Sequence, residues 1–168
     1  MKSGAVGTCV LALACAATYG QAVSGDLGSF AKSGEPVKTV VQYLFPEQVT
    51  VSSDKLTTVA LHFRIAPGLH INSHAPKDEF LISTTLSIPE GMGVRLDGTT
   101  YPDGVEMTLP LDPGTKLRVY SGDFVLQARV VASAGNHLVE AKLRYQACDN
   151  HACMPPKTIL VPIDVVAK

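Results

Sequence analysis

Three stretches of this chain alternate apolar and polar residues with a period of two, and that alternation limits the available folds more than any other feature. Leu56–Ile65 puts Val59, Leu61, Phe63 and Ile65 on one face and Ala60, His62 and Arg64 on the other. Phe124, Leu126, Ala128 and Val130 alternate with Gln127 and Arg129 in the same way. Val139, Ala141, Leu143 and Tyr145 do so against Glu140, Lys142, Arg144 and Gln146. A period of two belongs to a strand with one buried and one wet face, not to a helix. Between these runs lie Ala66-Pro67-Gly68, Pro89-Glu90-Gly91, Pro102-Asp103-Gly104 and Asp112-Pro113-Gly114. Each supplies a fixed φ, a residue tolerant of positive φ, or both, and reads as a turn. No long window carries a helical apolar stripe free of Pro and Gly, and there is no internal repeat. The expectation is an all-β sandwich, with strand order undetermined and a barrel still open.

A length of 168 residues suits one domain. With 14 Lys+Arg against 15 Asp+Glu and no basic run, a nucleic-acid surface that neutralises phosphates is not expected. At the start, Lys2 precedes the apolar run Val10–Ala17 and then Gly20-Gln21-Ala22, small residues of the kind a signal peptidase reads. Residues 1–22 are therefore expected to be a secretory signal. The apolar run is shorter than the roughly 20 residues a membrane-spanning helix needs, so no transmembrane segment is expected in the mature chain. Leu13-Ala14-Cys15 leaves a minor alternative in which Cys15 is lipidated and anchors the protein. Residues 23–37 are rich in Gly and Ser and read as a flexible leader, so the folded domain is assigned to 38–168.

Removing the signal also removes Cys9 and Cys15, which leaves Cys148 and Cys153 as the only cysteine pair in an oxidising compartment. Along an extended strand their Cα atoms would stand about 16 Å apart, whereas a disulfide needs roughly 4.4–6.8 Å. A bridge therefore requires the chain to fold back, which Asp149-Asn150 favours, and Pro155-Pro156 then imposes an extended exit lacking backbone donors. One reading is a structural staple. Chain-entropy reasoning gives so short a loop only about 2 kcal/mol, and a bridge in a turn is better placed for access than for cross-linking a core. The other reading is a redox-labile pair. His151 and Lys157 are cations that would favour a thiolate, and Asp149 would oppose it. Tyr145, Gln146, His151 and Pro155 are candidate lining residues, although on an alternating strand Tyr145 is more simply a core residue.

His70 and His74 have helical metal-ligand spacing, but Pro67-Gly68 and Pro76 argue against a helix there. Together with Met154, His151 and the cysteines they leave a copper-binding accessory role as an alternative, without a closed ligand set. No metal or other cofactor is expected. Phosphate-loop, Gly-x-Ser-x-Gly and His-Glu-x-x-His signatures are absent from the sequence.

Tyr145-Gln146-Ala147-Cys148 followed by Cys153-Met154-Pro155-Pro156-Lys157-Thr158 resembles the Tyr-Gln-Gly-Cys and Cys-Tyr-Pro-Pro-Glu-Thr signature of the N-terminal periplasmic domain of the thiol:disulfide interchange protein DsbD. The resemblance implies an immunoglobulin-like β-sandwich in the periplasm. Its cysteine pair would pass electrons from a membrane thiol reductase to periplasmic thioredoxin-fold proteins. By motif position Cys153 is the attacking thiol and Cys148 the resolving one. Four residues separate the cysteines here instead of five. The family's aromatic cap segment, Asp-Glu-Phe-Tyr-Gly, has no clear copy here; Thr99-Thr100-Tyr101-Pro102 falls in about its place, with Tyr101 as the candidate shield. Since the sequence stops at Lys168 without a membrane segment or thioredoxin-like domain, a separately encoded reductant is expected. The alternative from another class is a secreted immunoglobulin-like interaction module with an inert disulfide.

Overall fold

A computed structural model describes residues 39–45, 48–77, 80–109 and 112–168. The expected signal, the leader and Cys15 all lie outside the described residues. Twelve strands and no helix occur among those described. They are β1 (Val41–Leu44), β2 (Gln48–Val51), β3 (Thr57–Ile65), β4 (His70–Asn72), β5 (Thr85–Ser87), β6 (Val94–Thr100), β7 (Val105–Leu109), β8 (Asp112–Tyr120), β9 (Asp123–Ala132), β10 (Gly135–Tyr145), β11 (Ala147–Cys148) and β12 (Lys157–Ala167).

The three alternating runs become β3, β9 and β10. In the first sheet, ordered β1-β3-β9-β6, β3 and β9 are antiparallel, with Val59 opposite Ala128, Leu61 opposite Leu126 and Phe63 opposite Phe124. In the second, ordered β2-β12-β10-β5, Val139 faces Ile163 and Ala141 faces Val161. These buried faces share one core, while Ala60, Arg64, Gln127, Glu140 and Lys142 are exposed. That is the sandwich the alternation predicts, and separate sheets rather than a closed ring exclude the barrel. Burying each large side chain contributes about 1.5–3 kcal/mol. Phe63 stacks on Phe124 with ring centroids 5.1 Å apart, so Phe63→Ala would cost about 3–5 kcal/mol.

A third sheet, ordered β11-β4-β8-β7, carries the cysteines. Here one expected turn is corrected. Asp112-Pro113-Gly114 lies inside β8, in the register shift where Leu109 pairs with Asp112 although Thr108 pairs with Lys116. An irregular stretch of ladder tolerates a Pro that has no N–H to donate. A tight connection between β8 and β9 is made at Ser121-Gly122, where Gly122 takes φ +65°. The turns at Gly68 and Gly91, with φ of +79° and +81°, fall where expected.

Candidate redox site

Strand β10 leaves the second sheet at Tyr145, and two residues later the chain pairs with β4 of the third sheet, Cys148 lying opposite His70. Gln146 is the hinge of this switch. Its carbonyl accepts the Asn72 N–H at 3.1 Å. Its side-chain Oε1 accepts from Asn72 Nδ2 at 3.0 Å and from the Ile82 N–H at 3.2 Å, while its Nε2 donates to the Met154 carbonyl at 3.3 Å. One amide thus ties β4, the segment before β5 and the segment after Cys153 together. Continued alternation would have placed Gln146 on the wet face beside Arg144. The change of sheet turns it inward.

Beyond Cys148 the chain reverses. Asp149 N–H donates to the Ala152 carbonyl at 3.0 Å and Met154 N–H to the Ala147 carbonyl at 2.7 Å. These two bonds bracket Cys148 and Cys153 as a non-hydrogen-bonded antiparallel pair, where opposite Cα atoms come closest. Their Cα atoms are 3.9 Å apart and the sulfurs are bonded. The Asp149 carboxylate holds the turn, its Oδ1 accepting the N–H groups of His151 at 2.7 Å and Ala152 at 2.8 Å. Those two amides keep its carboxyl below the ordinary range, with smaller help from His151 and His70.

The two sulfurs differ in access. Cys148 is 1% exposed. Cys153 is exposed, with exposed His151 and Ala152 before it and exposed Pro155 and Pro156 after it. The prolines bring no N–H, so this edge cannot readily extend into a further ladder over the sulfur. An incoming thiolate can therefore reach Cys153 Sγ and expel Cys148 as leaving group.

Of the remaining sequence candidates, Tyr145 is buried in the core. Burial raises its phenol above the ordinary value, offset in part by a hydrogen bond with the Val41 backbone. Tyr101 stacks on His74 at 3.8 Å and its hydroxyl accepts the Leu86 N–H at 2.9 Å. His74 also has Nδ1 3.2 Å from the Thr84 carbonyl. Among the described residues no three His, Cys, Asp or Glu side chains converge as metal ligands. A groove of about 640 Å³ opens between β5 and β6 and shares no residue with the cysteine turn.

The sequence match that bears on this geometry covers residues 40–164, which fit the family model described as thiol:disulfide interchange protein DsbD, N-terminal. The chain belongs to this family. Its all-β architecture, with an immunoglobulin-like fold, follows the family. Among solved structures, the N-terminal domain of Neisseria meningitidis DsbD in the reduced form is 18% identical, over 66% of this chain and 79% of that one, with a TM-score of 0.45. The N-terminal periplasmic domain of ScsB from Proteus mirabilis is 13% identical, over 73% of this chain and 43% of that one, with a TM-score of 0.49. No curated protein matches.

One DsbD-like feature escaped the sequence reading. Asp78-Glu79-Phe80 repeats the first three residues of the family's cap segment, in the connection after β4. Asp78 and Glu79 lie outside the described residues. Phe80 is 83% exposed and lies two residues from Ile82, whose N–H is held by Gln146. The Asp-Glu-Phe triplet was the available signal.

Proposed function

We propose that this protein is an exported thiol–disulfide carrier whose Cys148–Cys153 pair accepts electrons from a membrane thiol reductase and delivers them to periplasmic thioredoxin-fold proteins. The observation that carries the reading is the unequal access of the two sulfurs, in a turn set outside both core sheets. Membership of the DsbD N-terminal family supports it. In the reduced form the Cys153 thiolate attacks a partner disulfide and expels one partner thiolate. Cys148 then attacks Cys153 Sγ, restoring the bridge and releasing the second partner thiolate. Two electrons pass to the partner, and no cofactor takes part. Phe80 is assigned the shielding role first given to Tyr101, with Gln146 anchoring both segments.

The deciding experiment is the reduction potential of the pair, measured by equilibration in glutathione and dithiothreitol buffers with thiol trapping. A value of about −180 to −270 mV with rapid exchange is expected for a carrier. A value below about −300 mV with resistance to reduction in the native state would make the bridge structural and the protein an interaction module. Residues 1–22 act as the export signal in this reading. The mass of the mature N-terminus distinguishes cleavage after Ala22 from lipidation at Cys15.

A further inference from the structure

His70 is a buried, chemically active side chain that the carrier scheme leaves unused. It is 3% exposed, and its Nε2 has no hydrogen-bond partner among the described residues. A buried polar atom left without a partner is costly and calls for an explanation. His70 lies directly opposite Cys148 across β4 and β11, and Cys148 lies directly opposite Cys153. Directly opposed residues project to the same face, with Cβ atoms about 4.5–5.5 Å apart. The three side chains therefore form one row, from the imidazole through the buried sulfur to the exposed one.

We propose that His70 is the acid–base partner of Cys148, taking its proton when it resolves a mixed disulfide and returning a proton when it is expelled as a thiolate. The proposal rests on the carrier reading. A thiolate released in a buried position is disfavoured by desolvation, and so is a thiol that must ionise there before attacking. In the resolving direction the Cys148 S–H proton passes to Nε2. The Cys148 sulfur bonds to Cys153 Sγ, the bond between Cys153 and the partner sulfur breaks, and the departing partner thiolate takes up a proton from solvent. In the reducing direction an incoming thiolate bonds to Cys153 Sγ, the Cys148–Cys153 bond breaks with its electron pair going to Cys148, and that sulfur takes from Nε2 a proton that the imidazole has taken up from solvent.

The surrounding charges suit a neutral imidazole that can accept. Burial lowers the His70 pKa, and Asp149, next to Cys148, opposes that shift. His151 acts on the same Asp149 carboxylate. On β8, Tyr120 is paired with Ile71, so Tyr120 and Arg118 take the opposite face from His70. Asn72, which shares the His70 face on β4, carries no charge.

The test mixes reduced protein with oxidised glutathione from pH 5 to 9, quenches with acid and follows the glutathione adduct by mass spectrometry. In His70→Asn, adduct formation at Cys153 should be unchanged, while its resolution near pH 7 slows about 100-fold and recovers as the pH rises enough to ionise Cys148 directly. Equal resolution rates and pH profiles in the variant and the parent protein would overturn the assignment and leave the carrier reading standing. A parent protein that forms no adduct and does not re-form its bridge would overturn the carrier reading and this assignment together. If the variant does not fold, imidazole ¹⁵N spectra of the unaltered protein decide. The His70 Nε2 shift and titration should change between oxidised and reduced forms, and identical titrations in both would overturn the proposal.

Discussion

Cys148 and Cys153 share one covalent bond but sit in different solvents, Cys148 at 1% exposure and Cys153 at the surface. The cause is the turn between them. Asp149 folds the chain so that Cys148 stays in the sheet ladder with β4, while Cys153 takes the outer strand of a short hairpin.

From this asymmetry, alkylation of the reduced protein by iodoacetamide should modify Cys153 at least about tenfold faster than Cys148, because access as well as thiolate fraction sets the rate. Peptide mapping with time measures both rates. Cys148→Ser should trap a mixed disulfide with a thioredoxin-fold partner, whereas Cys153→Ser should trap none. Both variants should keep the β-rich circular dichroism spectrum, since the shared core of the first two sheets does not depend on the bridge. Loss of folding in either would favour the structural staple.

Gln146→Ala removes two side-chain acceptances and one donation at once, leaving the Ile82 N–H, the Asn72 amide and the Met154 carbonyl short of partners. A loss of about 1–3 kcal/mol in urea denaturation is expected. Reduction of the bridge by dithiothreitol should accelerate, because the segments on either side of it are released. An unchanged denaturation midpoint would show that the amide is not a strut.

Phe80→Ala and Tyr101→Phe should separate the two candidates for the shield. Phe80 is largely exposed, so its truncation should change stability by no more than about 0.5 kcal/mol while speeding reduction by small thiols. Tyr101→Phe deletes the acceptor of the Leu86 N–H and should cost about 1 kcal/mol without altering reduction. The reverse pattern would return the shielding role to Tyr101.

The Asp149 carboxyl, held below its ordinary range by the His151 and Ala152 amides, makes the turn sensitive to acid. Its stabilisation is present above the unfolded value of about 3.9 and is lost as pH falls through the lower folded value. Asp149→Ala should flatten the dependence of stability on pH below about 4. Its effect near neutrality should be a more mobile turn, read as faster amide exchange at His151 and Ala152. A parent protein with no loss of stability across that acid range would contradict this role.

Much of the fold was legible because a strand with one buried face writes its orientation into every second residue. Leu61, Leu126, Leu143 and their neighbours could be assigned to the core before any partner was known. The cysteine turn was legible for a related reason, since Asp149 forms its hydrogen bonds to residues only two and three positions away. Asp112-Pro113-Gly114 misled because turn chemistry is permissive and not obligatory, and a register shift absorbed it. Gln146 was placed on the wet face because alternation carries no mark of where a chain changes sheet.

By itself, then, the sequence determined what is local: which residues face inward, where short turns are possible, and that the two cysteines can meet only if the chain reverses. Only the tertiary structure decided what depends on distant segments. It paired β10 with β5 and β12, sent Cys148 across to His70, and left one sulfur buried and the other in reach. The physical reason is that periodicity reflects how a single strand meets a surface, whereas partner, register and exposure follow from packing between residues far apart in the chain, such as Asn72 and Gln146.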